Sequence, residues 1–590
     1  LTLVPERIVR PEIMQWLKQS IQQAHVKEGG FIYDGSLLLN AENPVRAATT
    51  HLMLDIDQGQ LKFLPEWPAV EALTAKLFVD GTELRSEVSS ARYLGNEGLY
   101  GQVNLVNDAI GGRVQTNLKG QLIPEQGWQV FSQTPLQKLV PETLFDWQLS
   151  GKKIWLNTWL DFPIDGREGN GWVRVKTQGN SLLIPELGTP LDNIDAEVEY
   201  DLAKGLSAKQ GKAEFLAGPA QFDIHTDMEQ GTVMVEGLGQ AEVDALSLWQ
   251  PMPFSPWLSG TAPYNFFVRL DKVSQLHLIS ELQGVEVRMP PPMSKAAEMS
   301  TALDVNMSFS AEENRFAVQY GDHVNAKGLW LSEQKQNTAE QMKSEQAAVA
   351  ENSFAANIWL GDLPKQMLAP STLTGRTDIH FQQNQINAEP WIEFIKAEQA
   401  RVELEQSVVL SSAESAVNTD QTGIGTDPVV ARSRKERDRA SSQQISGLTR
   451  FHLETKQLRY GDMKLENFVL DAEQDQQKYS FRFASPQIQG EANLTEQLTR
   501  IELEHLFYDS PENEAIVVPK QVVPKQKEDS VLDQVFTPQW PDFDLKIKDF
   551  QVNRIVGKGL DISYRSKQDK RQLTLNSMTQ GSIGYNGVLD

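Results

Sequence analysis

Cysteine is absent from all 590 residues. Disulfides, thiolate metal sites and cysteine nucleophiles are therefore excluded. Long apolar runs are missing too: no stretch approaches the ~18 residues that cross a bilayer as a helix, and no signal peptide is visible. Positive charge is in deficit, with 55 Lys and Arg against 79 Asp and Glu and a net charge of −24. Nucleic acid and anionic membrane surfaces need clustered Lys or Arg, so neither is expected as a direct electrostatic partner. The sequence also lacks catalytic signatures. The 8 His residues are scattered without an HExxH or close pair, and there is no Walker A sequence, GxGxxG or GxSxG. No enzyme, cofactor or metal is expected. Asp55 and Asp57, in LDIDQG, resemble part of a calcium loop whose remaining ligands are missing.

What is present is strand and turn. Leu64–Gly95 and Ile184–Gly218 share one layout: a Pro-containing turn, an alternating strand, an Asp (Asp80, Asp201), a Leu-led stretch and a Leu-Gly or Leu-Ala-Gly stop. A second pair opens FHLETKQLRYGDMKLENFVLDAE at Phe451 and FDLKIKDFQVNRIVGKGLDISYR at Phe543. Recurring supersecondary units stack into an extended body whose long surface carries function. Ala196, Val198, Tyr200 and Leu202 alternate with Glu197, Glu199 and Asp201, and Phe543, Leu545 and Ile547 with Asp544, Lys546 and Lys548. That period of two places one face on apolar contacts and the other in water, as in antiparallel sheets.

One helix is expected, over 11–24, where Pro11 suits the first turn and Ile13, Trp16, Leu17 and Ile21 form an apolar stripe. The expected organisation is β repeats over 1–331, a polar low-complexity loop at 332–353, a β continuation over 354–410, a disordered polar loop at 411–446 and further β repeats over 447–590 with a linker at 512–530. Several Trp residues lie beside Pro or in turns (Trp67, Trp249, Trp257, Trp391, Trp540), where packing at sheet edges is expected. The chain starts at Leu1 rather than Met and ends in the strand-like GSIGYNGVLD. A piece of a longer protein is expected, with any membrane anchor outside it.

Several segments in order resemble the YhdP family of long AsmA-like proteins of the Gram-negative envelope. They are RPEIMQWLKQSIQQAHVKEGGFIYDGSLL (10–38), LKFLPEWPAVEALTAKLFVDGTEL (61–84), LISELQGVEVRMPPPMSKAAE (278–298), LRYGDMKLENFVLDAE (458–473) and WPDFDLKIKDFQVN (540–553). The polar insertions at 332–353 and 411–446 depart from the pattern. The resemblance implies a bridge-like lipid transfer protein. Its fold would be mainly β, an elongated repeating antiparallel sheet curled into a groove with an apolar interior and a few short helices. Its place would be the periplasm, anchored to the inner membrane by an N-terminal helix outside this piece. Its cargo would be phospholipid acyl chains, and its partners components of the inner and outer membranes at the ends of the full protein.

Physics accommodates that picture. A sheet with one apolar face and few helices to cover it must curl on itself or bind something apolar. About 30 strands at ~4.8 Å spacing would extend on the order of 145 Å. The one-face apolar positions expected to line the groove are Leu77, Val79, Val198, Tyr200, Leu202, Leu453, Leu545, Ile547 and Leu575. Two alternatives keep the β architecture. A TamB-like factor for outer-membrane protein assembly would offer strand edges to clients. A structural β-solenoid would fill its interior with its own side chains.

Overall fold

The computed structural model describes residues 15, 18–34, 49–62, 66–80, 83–107, 110–134, 147–164, 166–184, 189–249, 255–271, 273–310, 312–331, 354–398, 400–401, 448–475, 478–495, 498–509, 542–567 and 570–589. The polar stretches 332–353, 411–446 and 512–530 lie outside them. The chain forms two compact units, one of residues 1–285 with 308–310, the other of 286–307 with 311–590.

The first unit carries β1 (Ile21–Asp34), β2 (Thr49–Leu61), β3 (Val70–Asp80), β4 (Glu83–Tyr93), β5 (Asn96–Asn107), β6 (Gly112–Leu122), β7 (Gln148–Ser150), β8 (Ile154–Pro163), β9 (Asn170–Lys176), β10 (Asn180–Ile184), β11 (Thr189–Asp195), β12 (Glu197–Asp201), β13 (Gly205–Phe215), β14 (Gly218–Asp227), β15 (Thr232–Glu242), β16 (Leu258–Leu270) and β17 (Ser274–Ser280). Antiparallel pairing runs from β1 through β6 to β8, β9, β12 and on to β17. A short branch, β7–β10–β11, joins the far half of β13, whose near half holds β12. The changeover falls at a bulge where Gln210 takes a positive φ of 54° and its N–H donates to Asp223 Oδ1 at 2.6 Å.

The second unit carries β18 (Val285–Val287), whose first residue belongs to the first unit, β19 (Leu303–Phe309), β20 (Glu313–Tyr320), β21 (Val324–Leu331), β22 (Phe354–Gly361), β23 (Arg376–Asn387), β24 (Leu448–Tyr460), β25 (Met463–Asp475), β26 (Lys478–Ala484), β27 (Ile488–Leu494), β28 (Thr499–Tyr508), β29 (Phe543–Val552), β30 (Ile555–Lys567), β31 (Lys570–Gln580) and β32 (Ile583–Leu589). From β20 to β32 each strand pairs with the next. The sheets are open, not closed into barrels. Among the described residues helices are few and short: Gln15 with Lys18–Ser20, Pro124–Ser132, Val243–Trp249, a 3₁₀ turn at Ser255–Trp257, and one over 388–398 with 400–401.

Alternation explains the strands. In β6 the apolar or small residues Gly112, Val114, Thr116, Gly120 and Leu122 are buried, with mainly polar residues between them. Both repeat pairs seen in sequence are hairpins: β3–β4 with β12–β13, and β24–β25 with β29–β30. Asp201 ends β12 and its Oδ1 accepts from the N–H groups of Ala203 and Lys204, at 2.9 and 3.1 Å, which closes the turn. The Leu-Gly and Leu-Ala-Gly stops adopt positive φ at Leu94 and Gly95, and at Leu216 and Ala217.

One expectation needs correction. Gln15 and Lys18–Ser20 are helical, but Ile21–Ala24 belong to β1, so the helix expected over 11–24 ends early. Pairing of Ile21 with Leu61 overrides the local helical stripe; Ile13, Trp16 and Leu17 lie outside the described residues. The expected mainly-β fold holds, dominated by antiparallel pairing, with some parallel neighbours in the second unit. β22–β23, β23–β24 and β28–β29 are parallel. A parallel neighbour needs a crossover of a dozen or more residues, which accounts for the long connections 362–375, 388–447 and 509–542.

Candidate functional site

The apolar face is built strand by strand from in-register residues. In the first unit Phe31, Leu52, Val79, Leu84, Leu105, Val114 and Phe162 stand opposite one another in turn, from β1 to β8. Directly opposed residues of paired strands point to one face, so this is a continuous apolar row across the strands. Leu77 lies one row further along β3, on the same face, and packs with Val79 against Leu84, Leu105 and Val114. Phe78 points the other way and is exposed.

The second unit repeats the device over a longer run. Leu360, Phe381, Leu453, Leu470 and Phe483 follow one another from β22 to β26; Gly490, Leu503, Ile547 and Leu560 continue the row to β30. The neighbouring row passes through Ile358, Ile379, Phe451, Ala472, Phe481 and Ala492, then Ile501, Leu545, Ile562 and Leu575 on β31. Neither row contains a charge.

The reverse face of the same strands is charged. His452, Asp471, Arg482, Glu491, Glu502, Lys546 and Asp561 are successive partners from β24 to β30. His452 Nδ1 lies 2.7 Å from Asp471 Oδ1, and Lys548 donates to Glu504 at 3.0 Å. These solvated pairs add little stability each; they keep this face in water.

Eight of the nine sequence-expected positions lie on strands and Leu202 lies in the turn after β12, and their surroundings differ. Leu453 and Ile547 share one row and Leu545 and Leu575 the next. Val198, Tyr200 and Leu202 are packed under other side chains. Val198 joins Ile194, Ala196 and Ala213, whereas Tyr200 and Leu202 join Trp67, Leu160 and Val173. Burial, then the neighbouring Asp201 charge, raises the Tyr200 phenol above its ordinary pKa.

Three tryptophans from connecting segments seat on apolar strand clusters rather than at sheet edges. Trp67 contacts Phe162 with ring centroids 5.8 Å apart. Trp147 packs with Val233 and Leu270, and its buried indole N–H has no hydrogen-bond partner. Trp391, on the helix over 388–398, meets Phe381 edge-on at 5.5 Å. Sequence patterning gave no sign of these contacts, which join residues far apart in the chain. The short-range signal was only an aromatic beside a turn.

The Asp57 carboxylate is engaged by Lys27 at 3.2 Å and Thr74 at 3.1 Å. Those contacts, Lys27 first, hold its pKa below the ordinary carboxylate value. Among the described residues no group of three or more His, Asp or Glu is placed to hold a metal ion. Among them, too, no helix is long and apolar enough to cross a membrane.

Comparison with known proteins fits this amphipathic sheet. An Escherichia coli (strain K12) protein, the intermembrane phospholipid transporter YhdP, is 23% identical over 368 residues, which cover 56% of this chain and 26% of the relative. The chain thus matches about a quarter of that relative's length. No solved structure matches the chain. The family described as YhdP protein matches residues 3–586, nearly the whole length, and the chain belongs to that family.

Proposed function

We propose that this chain is a periplasmic segment of a longer, inner-membrane-anchored protein that conducts phospholipids between the inner and outer membranes along its apolar face. The observation that carries the reading is the pair of charge-free rows crossing the strands from β22 to β30, with a charged row between them on the reverse face. The relative's role as an intermembrane phospholipid transporter supports the same cargo.

The physics of such a track is simple. Burying apolar area contributes about 25 cal/mol per Å², so an acyl chain laid along a row is held by many small contacts. Those contacts are non-directional. Moving one strand along, about 4.8 Å, exchanges one set of aliphatic neighbours for another, so sliding meets low barriers. The phosphate headgroup stays in water at the open rim, because a charge on this face would meet no partner. No covalent chemistry is required.

The deciding experiment is native mass spectrometry of the purified chain, with extraction and identification of bound lipid. Several phospholipids per chain are expected. A stably folded, lipid-free chain would remove the reading. Protease protection of an outer-membrane protein strand by such a chain would instead favour the TamB-like assembly role. A lipid-free chain that protects no client would favour the self-filled solenoid.

A further inference from the structure

The apolar face of the first unit buries hydroxyls as well as hydrocarbon. Tyr93, at the end of β4, packs against the cluster of Val88, Ala91, Leu99, Leu122 and Ile154. Tyr264, on β16, is 7% exposed and stands opposite Gly239, in line with the buried Ala220 and Ala213. It shares its face with Val268 and Leu270, which pack with Val233. A Cβ on Gly239 would fall 2.6 Å from both Cζ and the hydroxyl oxygen of Tyr264, so the ring lies across the glycine and its oxygen sits over β15. Thr116, on β6, falls in the row Leu77, Ser86, Val103, Thr116 and Leu160. All three hydroxyl oxygens are buried, and none has a hydrogen-bond partner among the described residues. Other hydroxyls of this face are satisfied: Ser86 Oγ donates to the Val103 carbonyl at 2.5 Å, and Thr226 Oγ1 to that of Leu206 at 2.9 Å. Burial pushes the Tyr264 phenol up to about 12 and raises that of Tyr93 as well, so both keep their protons and remain donors.

We propose that Tyr93 and Tyr264 are hydrogen-bond stations for the ester carbonyls of the cargo, so that the first unit selects ester-linked diacyl lipids. This inference rests on the conduction reading above. Its basis is chemical complementarity. A buried hydroxyl without an acceptor is costly, and an arriving acceptor relieves that cost. A phospholipid brings two ester carbonyls, which accept and cannot donate, at the junction of its acyl chains and headgroup. Laid on an apolar face, those carbonyls lose water and need a donor. The chain thus offers donors without acceptors, and the cargo offers acceptors without donors. Tyrosine suits the task because its ring is one more apolar surface for methylenes and only its tip is polar. Each hydroxyl turns towards a carbonyl without first giving up a hydrogen bond. The two apolar rows of the second unit hold no hydroxyl, so recognition of the ester belongs to the first unit.

The test is a competition on the full chain, read by native mass spectrometry. The chain is incubated with vesicles of equal parts dioleoyl phosphatidylglycerol and its ether-linked dioleyl analogue, which keeps the headgroup and chains but has no ester carbonyl. The wild type should take up the ester lipid about three- to tenfold over the ether lipid, the worth of one or two hydrogen bonds. In the Tyr93→Phe/Tyr264→Phe double variant, which removes only two oxygens, the ratio should fall to near one. Its thermal midpoint without lipid should match or exceed that of the wild type, because the hydroxyls have no protein partner to lose. Isotope-labelled carbonyls give a second readout: the infrared ester band of bound lipid should lie at the lower, hydrogen-bonded frequency in the wild type and move up in the variant. Equal uptake of the two lipids by the wild type, or an ester preference and band unchanged in the folded variant, would overturn the stations and leave conduction standing. A lowered midpoint in the lipid-free variant would show the hydroxyls bonded within the protein and would overturn them too. A folded wild-type chain that takes up neither lipid removes the conduction reading, and the stations with it.

Discussion

Leu503 on β28 stands beside Ile547 on β29 in a parallel pair, each held in the apolar row despite the long crossover between them. Both are buried, at 7% and 4% exposure. A slip of one residue would set Glu502 or Glu504 opposite Ile547 and turn a carboxylate into the row. The hydrophobic pattern therefore fixes the register of a pair that no short turn could set.

Ile547→Asp should unfold the second unit or nearly so, because an unpartnered carboxylate would sit between Leu503 and Leu560. The expected loss is about 3 kcal/mol or more, against about 1 kcal/mol for Ile547→Val. Urea midpoints measure both; equal midpoints would show that the row is not packed as described.

Faces are best separated on β3. Val79 points into the apolar row and is half-buried, whereas its neighbour Phe78 is exposed on the reverse face. Val79→Asp should abolish phospholipid co-purification while Phe78→Asp leaves it within about twofold. Positions such as Tyr200 serve this purpose less well: it is buried beneath Trp67, so a charge there would disturb packing before it reported on lipid.

Gly490 is the place in the row, between Phe483 and Leu503, that carries no side chain. A Cβ at this position would come within 2.3 Å of the Glu502 carbonyl oxygen and 2.8 Å of Leu503 Cδ2. Backbone cannot yield as a flexible side chain does. Gly490→Ala should therefore cost about 1–3 kcal/mol, read as a lowered thermal midpoint, whereas Gly584→Ala on β32, with open space around its Cβ, should be nearly silent.

His380 supplies a pH dependence. Burial first, then the nearby His452, lowers its pKa below the ordinary value, and Asp378 opposes the shift. Its ring also stacks on Trp359 at 6.0 Å. A group whose folded pKa is depressed in this way resists protonation when folded, while the unfolded chain takes up the proton at the ordinary value near 6.5. Its contribution is complete above that value and is lost as the pH falls below it. Between about pH 7.5 and 5.5 the wild type should lose more stability than His380→Gln. Parallel losses would assign the pH dependence elsewhere.

The sequence alone determined the fold class and the two-residue alternation along many of the strands. Alternation at Phe543, Leu545 and Ile547, or at Val198 and Tyr200, is a local property that a period of two expresses without reference to the rest of the chain. The hairpins were legible for the same reason, through Asp201 and the Leu-Gly stops. Tertiary structure decided what local pattern cannot carry. It chose which strands are neighbours, so that Leu453 falls between Phe381 and Leu470 and the separate alternations join into rows. It made β22–β23, β23–β24 and β28–β29 parallel, and it took Ile21 from a helical stripe into β1. It also brought Trp67 onto Phe162 across four strands, since curl is a property of the whole sheet's twist and packing, not of any one segment.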